Sequence, residues 1–182
     1  MTQTKITIKY ILAIVVAVLF TWIIHELAHW ITYKFLGYES LMTLNSVSVV
    51  NNQNPTISHS IMISITGPLI TIFQAVVVYS LLKFKKWNSY LYPFLLTPFY
   101  MRFLAGLINF INPNDEGRIS EYLGIGLFTI SIIVSSFLFF LVYNISKKYH
   151  LKFKFQMITV IVIMVVSSFI IISDQYFKIQ VL

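Results

Sequence analysis

The sequence predicts an all-α fold: a polytopic membrane helix bundle with about five transmembrane helices and one or two short β-strands in the first connection. The composition supports this, because hydrophobic residues make up 58% of the 182 and charged residues only 10%. Soluble domains are about 45–50% apolar and about 25% charged. In addition, five apolar stretches are each long enough to cross a bilayer, which takes about 20 residues.

The five predicted spans leave no room for a separate soluble domain, so we expect residues 1–182 to form one integral membrane domain. The spans run roughly over Tyr10–Leu36, Ile61–Leu82, Tyr90–Ile111, Ile119–Val142 and Phe155–Ile172. The first one begins like a signal peptide, with Lys5 and Lys9 before an apolar run, but no small-residue cleavage site follows. We therefore expect this segment to be retained as a span.

Basic residues concentrate on alternate connections. The N-terminus and the second and fourth connections carry nine bases and no acids, whereas the first and third connections and the C-terminal tail carry three bases and five acids. Cytoplasmic connections are enriched in Lys and Arg, so we expect a cell-membrane protein with its N-terminus inside and its C-terminus outside. This topology also explains the net charge of +7 without a nucleic-acid partner.

The longest connection runs from Gly37 to about Ser60. Within it, Leu41–Val50 alternates partly between apolar and polar residues, which predicts one or two short strands at the membrane surface. The run Asn51-Asn52-Gln53-Asn54-Pro55 predicts a turn. A strand edge here could bind an extended peptide by strand addition. An ordinary polar connection explains the same composition equally well.

The second half of the first span contains His25-Glu26-Leu27-Ala28-His29, the most specific pattern in the chain. Residues four apart lie on one helix face, so His25 and His29 can bind one metal ion together. Glu26 projects about 100° round the helix from His25, where it can act as a general base on a water molecule. Chance placement predicts roughly 0.002 such motifs in this composition. A polar cluster that only cross-links helices is the less favoured alternative.

A catalytic zinc site usually has three protein ligands, and this chain has no cysteine to supply one. The segment Asn112–Arg118 joins the third and fourth spans, and antiparallel helices would place it on the same membrane face as the first connection. Asp115 or Glu116 can therefore approach the two histidines as a third ligand, with Asn112 as a neighbouring polar group. The alternatives are an acidic surface turn and, as a different ligand on this face, His59.

With these motifs the chain resembles the site-2 proteases, a family of intramembrane zinc metallopeptidases. The segment His25–His29, followed by Phe35-Leu36-Gly37, is similar to the family's HExxH helix, and Gly67-Pro68 is similar to its Gly-Pro motif. Asn112–Arg118 is similar to the family's Asn-Pro…Asp-Gly segment, although Glu116 stands where the family usually has glycine. The resemblance covers roughly residues 12–120, a minimal core without appended domains, and leaves the spans at 119–142 and 155–172 without a motif.

The resemblance implies a zinc-dependent endopeptidase that hydrolyses peptide bonds in or near the transmembrane segments of membrane proteins. It implies Zn²⁺ bound by His25, His29 and Asp115, with Glu26 as the catalytic base. The residues that it places near the metal or the substrate are Asn112, Glu116, Gly67 and Pro68. The expected partners are a membrane-protein or membrane-peptide substrate and the lipid bilayer. The alternatives are a non-catalytic metal-binding protein, such as a divalent-ion transporter or sensor, and an inactive protease-like scaffold.

Three further polar residues lie inside the predicted spans. We expect Arg102 to hydrogen-bond backbone carbonyls in the bundle interior; pairing with a carboxylate and stabilisation of a tetrahedral intermediate are the alternatives. Gln74 and Asn109 are expected to form interhelical hydrogen bonds.

Overall fold

Five long apolar helices form the body of the protein in a computed structural model, which describes residues 5–51 and 53–182. The helices are α1 (Ile8–Phe35), α2 (Ile57–Phe84), α3 (Tyr92–Ile108), α4 (Asp115–Tyr122), α5 (Thr129–Lys148) and α6 (Phe153–Phe177). The strands are β1 (Ser40–Met42) and β2 (Val47–Val49), and a 3₁₀ turn at Ser89–Leu91 leads into α3. Asn52, part of the predicted turn in the first connection, lies outside the described residues.

Helices α1, α2, α3, α5 and α6 are long and apolar enough to cross a membrane, α3 together with its 3₁₀ turn. Large apolar side chains such as Phe73, Phe139 and Phe169 are exposed on their outer faces, as expected for helices that contact lipid. The protein is therefore a multi-pass membrane protein, and the predicted all-α bundle of five spans is confirmed.

The predicted fourth span, Ile119–Val142, is wrong at its beginning. Residues Asp115–Tyr122 form the separate short helix α4, and the transmembrane helix α5 begins only at Thr129. Between the two helices, Gly124 and Gly126 have φ values of +66° and +91°, which glycine adopts without strain and which end a helix. The sequence analysis did not predict this break between α4 and α5, because apolar residues surround the two glycines.

Buried polar side chains link the helices inside the bundle. Nε2 of Gln74 donates hydrogen bonds to Oγ1 of Thr21 and to the carbonyl of Phe94, both at 2.9 Å. Nδ2 of Asn109 donates to Oγ of Ser131 at 3.0 Å. These are the interhelical bonds predicted for Gln74 and Asn109, and they fix α1, α2, α3 and α5 to one another.

The first connection contains the predicted short strands. β1 pairs antiparallel with β2, with Met42 opposite Val47. The C-terminal residues pair with the other edge of β1: the N–H of Met42 donates to the carbonyl of Leu182, and the N–H of Val181 donates to the carbonyl of Met42, both at 2.8 Å. β1 therefore lies between β2 and the C-terminal residues of the chain.

The end of α6 holds the turn of this hairpin through Asp174. The two carboxylate oxygens of Asp174 accept hydrogen bonds from Oγ1 of Thr43 at 2.8 Å and from the backbone N–H of Leu44 at 3.1 Å. No local pattern in the sequence predicts these contacts, because 131 and 130 residues separate the partners. They fix the hairpin beside the C-terminal half of α1, where the histidines lie.

Candidate metal centre

Three potential metal ligands converge inside the bundle. Nε2 of His25 lies 3.2 Å from Nε2 of His29, and each of these atoms lies 3.3 Å from Oδ2 of Asp115. Tetrahedral zinc with bonds of about 2.0–2.1 Å separates its ligand atoms by about 3.3–3.4 Å. The three atoms therefore have the spacing of one face of a zinc coordination tetrahedron; an ion bound there would have its fourth position left for water or substrate. Two imidazoles and a carboxylate are also a ligand set that suits zinc.

The helical spacing of α1 places both imidazoles on the same face, and the backbone of α2 orients one of them. Nδ1 of His29 lies 2.7 Å from the carbonyl oxygen of Ile63. Because a carbonyl can only accept, Nδ1 carries a proton, and Nε2 is the ring nitrogen that faces Asp115. A second hydrogen bond of this kind is the usual way in which proteins fix the tautomer of a metal-binding histidine.

The Gly67-Pro68 pair brings α2 against the imidazoles. A Cβ atom on Gly67 would lie 2.3 Å from both Cε1 of His25 and Nε2 of His29, so a larger residue cannot occupy this position without movement of the backbone or the rings. Pro68 has no N–H, and the carbonyl of Ser64 therefore lacks its usual helical partner. Ser64 lies in the wall of the cavity beside the ligands.

Asp115 is the first residue of α4, and three hydrogen bonds of the preceding residue, Asn114, determine its position. Oδ1 of Asn114 caps the helix by accepting from the N–H of Gly117 at 3.2 Å. The N–H of Asn114 donates to Oδ1 of Asn109 on α3 at 2.9 Å, and Nδ2 of Asn114 donates to the carbonyl of Ala105. The start of α4 is thus fixed against α3, and the Asp115 carboxylate projects toward α1.

The electrostatic environment keeps Asp115 ionised. Burial by itself would raise the pKa of its carboxyl group, but the contacts with His25 and His29 outweigh burial and hold this pKa well below its ordinary value. Arg118 adds a weaker contact, with Nη2 at 3.3 Å from Oδ1. An ionised carboxylate is the form that binds a metal ion.

A cavity of about 580 Å³ opens beside the three ligands. Its wall includes the buried side chain of Glu26, which directly follows His25, and also Asn112. The residues of the hairpin and of α6 that line it are Asn45, Ser46, Val47, Ile171 and Gln175. The structure thus brings Glu26 and Asn112 to the same space as the three ligands.

Two of the alternative ligands lie elsewhere. Glu116 is completely buried and is not part of the ligand cluster, and its Oε1 accepts a hydrogen bond from Nη1 of Arg102 at 3.1 Å. Nδ1 of His59 lies 2.7 Å from the hydroxyl of Tyr38, outside the cluster. Asp115 is therefore the acidic residue that meets the histidines.

The expectation for Arg102 was wrong. Its guanidinium contacts carboxylates, Glu116 at 3.1 Å and Oδ2 of Asp115 at 3.7 Å, rather than backbone carbonyls. In a buried environment a full negative charge stabilises a guanidinium better than a carbonyl dipole does. The adjacent acids at 115 and 116 could have suggested this pairing, because only one of them was needed as a ligand.

Comparisons of the chain with protein-family models, curated proteins and solved structures found no match. What the fold and the site define is a multi-pass membrane protein with two histidines and an aspartate clustered beside a polar cavity. Any function has to be inferred from that geometry.

Proposed function

We propose that this protein is an intramembrane zinc-dependent endopeptidase, similar in kind to the site-2 proteases, that cleaves peptide bonds in or near the transmembrane segments of membrane proteins. The proposal depends above all on the separations of 3.2, 3.3 and 3.3 Å among Nε2 of His25, Nε2 of His29 and Oδ2 of Asp115. These separations suit zinc, and Glu26 lies in the wall of the same cavity.

Each residue of the cluster has a distinct role in the proposed reaction. His25, His29 and Asp115 would hold Zn²⁺, which would supply a Lewis acid that polarises the scissile carbonyl and lowers the pKa of bound water to about 7. Glu26 takes a proton from the attacking water and later passes it to the leaving amine. The contact between Ile63 and His29 keeps the imidazole in the correct tautomer throughout.

A membrane peptidase also needs water and an unfolded stretch of substrate. Polar residues of the hairpin and of the third connection line the cavity, including Asn45, Ser46 and Asn112, and they provide a path for water. A substrate helix hides its carbonyls in its own hydrogen bonds, so it must unwind before attack. Helix-weakening residues near the cut favour this step.

The hairpin offers the unwound segment a strand edge. In the observed register, the backbone N–H and C=O groups of Val47 and Val49 point away from β1. Val47 also lines the cavity. The opposite edge is occupied by Val181 and Leu182. An extended peptide would therefore pair with the open edge of β2.

The decisive experiment compares the wild-type protein with Glu26→Gln. Both are purified in detergent and incubated with a mixture of synthetic single-span peptides that carry Gly, Pro or Asn within the span; new termini are detected by mass spectrometry. We expect the variant to keep about one zinc per chain and to lose about 10²–10⁴-fold in cleavage rate, the usual contribution of a general base. Glu121→Gln, an exposed acid on the same membrane face, is the matched control and should cleave normally.

Other outcomes support other functions. Cleavage by zinc-loaded Glu26→Gln at the wild-type rate would rule out the proposed role of this residue. Absence of cleavage by the wild type, together with zinc flux into proteoliposomes, would favour a divalent-ion transporter. A zinc content well below one per chain would favour an inactive scaffold.

A further inference from the structure

Three residues along one helix face of α3 and its C-cap form hydrogen bonds with the beginning of α4. Arg102 and Ala105 in α3, and Asn109 at its C-cap, have the i, i+3 and i+7 spacing of one helix face. Ala105 and Asn109 bind Asn114, the residue before Asp115. Arg102 binds Glu116, the residue after it. The ligand Asp115 is thus held between two anchored neighbours.

We propose that Arg102 and Glu116 form a positioning pair that sets the carboxylate of Asp115 for metal binding, an inference that rests on the metal centre of the proposed function. Glu116 has a second role in this pair: it binds the Arg102 guanidinium at 3.1 Å, so that the guanidinium makes only a longer contact of 3.7 Å with Asp115. Neither residue is a metal ligand or touches the reacting atoms.

Distances and burial support the positioning role. Nη1 of Arg102 lies 3.1 Å from Oε1 of Glu116 and 3.7 Å from Oδ2 of Asp115, the oxygen that faces the histidines. The side chains of Arg102 and Glu116 are 4% and 0% exposed, so water screens their attraction little. Among the described residues, Nε of Arg102 and Oε2 of Glu116 have no hydrogen-bond partner. The pair therefore depends strongly on its one direct contact.

Charge balance supports the second role. A divalent cation bound at the cluster and the guanidinium of Arg102 would both lie close to Oδ2 of Asp115. Glu116 neutralises Arg102, so the guanidinium does not oppose the cation. Without Glu116, the unpaired positive charge of Arg102 would repel the metal and would bind the Asp115 carboxylate itself. Without Arg102, the buried carboxylate of Glu116 loses its partner, and α4 loses one of its anchors.

Removal of both charges should weaken zinc binding less than removal of the Glu116 charge alone. In the double variant Arg102→Met/Glu116→Gln, no unpaired charge is left beside the cluster. Asn114 still caps α4 and still binds α3 through Asn109 and Ala105. Asp115 therefore keeps its approach to the histidines, and Arg102 no longer competes for it.

The test measures zinc affinity by chelator competition on the full-length protein, purified in detergent and shown to be monodisperse. We expect Glu116→Gln to bind zinc about 10–100-fold more weakly than the wild type, the range for the loss of an outer-shell partner. The double variant should recover most of this loss. Gln74→Met, which removes a buried polar contact away from the cluster, is the control: it should lower thermal stability and leave the zinc Kd unchanged.

Two results would overturn the inference: wild-type zinc affinity in folded Glu116→Gln, or a double variant that binds zinc no better than Glu116→Gln. If Glu116→Gln does not fold, Glu116→Asp and Arg102→Lys replace it, because both keep their charges. Weaker zinc binding by these variants at wild-type stability supports the positioning role, and wild-type affinity in both overturns it. Failure of the metal centre itself is recognised separately, since Asp115→Asn would then bind zinc as tightly as the wild type.

Discussion

Gly67 on α2 and His29 on α1 are in such close contact that a Cβ atom at position 67 would lie 2.3 Å from Nε2 of the imidazole. The same nitrogen lies 3.3 Å from Oδ2 of Asp115. The absence of a side chain on one transmembrane helix thus determines the space available to a potential metal ligand on another.

Gly67→Ala should therefore weaken zinc binding while leaving the bundle folded. Alanine favours a helix over glycine by about 1 kcal/mol, so helix propensity does not predict unfolding. The new methyl group would displace the rings of His25 and His29, and we expect the zinc Kd to rise about 10–100-fold. Chelator competition gives the Kd, and gel filtration reports folding. Gly106→Ala on α3 is a control, because its Cβ would contact Ser131 at 3.2 Å and not the cluster.

Asp115→Asn and Arg118→Gln should differ sharply in zinc content. Asp115 provides the third ligand in our proposal, so its loss should reduce bound zinc by more than the roughly 10–100-fold typical of an outer-shell contact. Arg118 contacts the other oxygen of this carboxylate, but its side chain is 55% exposed, and exposed ion pairs contribute only about 0–1 kcal/mol. Its removal should change the zinc Kd by about fivefold at most. Equal losses in the two variants, measured as zinc per chain after gel filtration, would contradict the assignment of Asp115.

The sequence predicted the parts of this molecule that depend on local pattern. Apolar length predicted the five spans, and partial alternation predicted the strands of the hairpin. Helical spacing placed His25 and His29 on one face. Antiparallel connectivity placed Asp115 on the same membrane face as these histidines, and in the structure the three side chains lie together.

What the sequence did not predict depends on contacts between distant segments or on a local break. Arg102 could have bound any acceptor in the bundle, and only the tertiary structure places Glu116 beside it. Asp174 lies in the last turn of an apolar helix and belongs to no motif, and its partner Thr43 lies 131 residues earlier. The break before α5 was hidden because its two glycines lie among apolar residues.

Asp174→Asn should weaken the attachment of the hairpin to α6. The charged carboxylate accepts hydrogen bonds from Thr43 and Leu44, and hydrogen bonds to charged groups contribute about 1.5–3 kcal/mol each. We expect the free energy of unfolding to fall by about 1.5–3 kcal/mol, because the amide retains one acceptor oxygen. Backbone amides from Thr43 to Val47 should exchange hydrogen faster, as measured by mass spectrometry. Ser173→Ala, one residue earlier on α6, serves as the control; protection of the hairpin equal to wild type in Asp174→Asn would show that α6 does not hold it.

The charge distribution predicts which compartment supplies water to the cavity. Because the chain has no cysteine, single cysteines introduced at two exposed asparagines report topology without background: Asn54→Cys in the first connection and Asn88→Cys in the second. Nine bases lie on the face of the second connection and three on the opposite face. In intact cells, a membrane-impermeant maleimide should therefore label Asn54→Cys, and Asn88→Cys only after permeabilisation. The first and third connections, whose Asn45 and Asn112 line the cavity, would then face the outside, whereas the reverse labelling would place the entrance to the cavity in the cytoplasm.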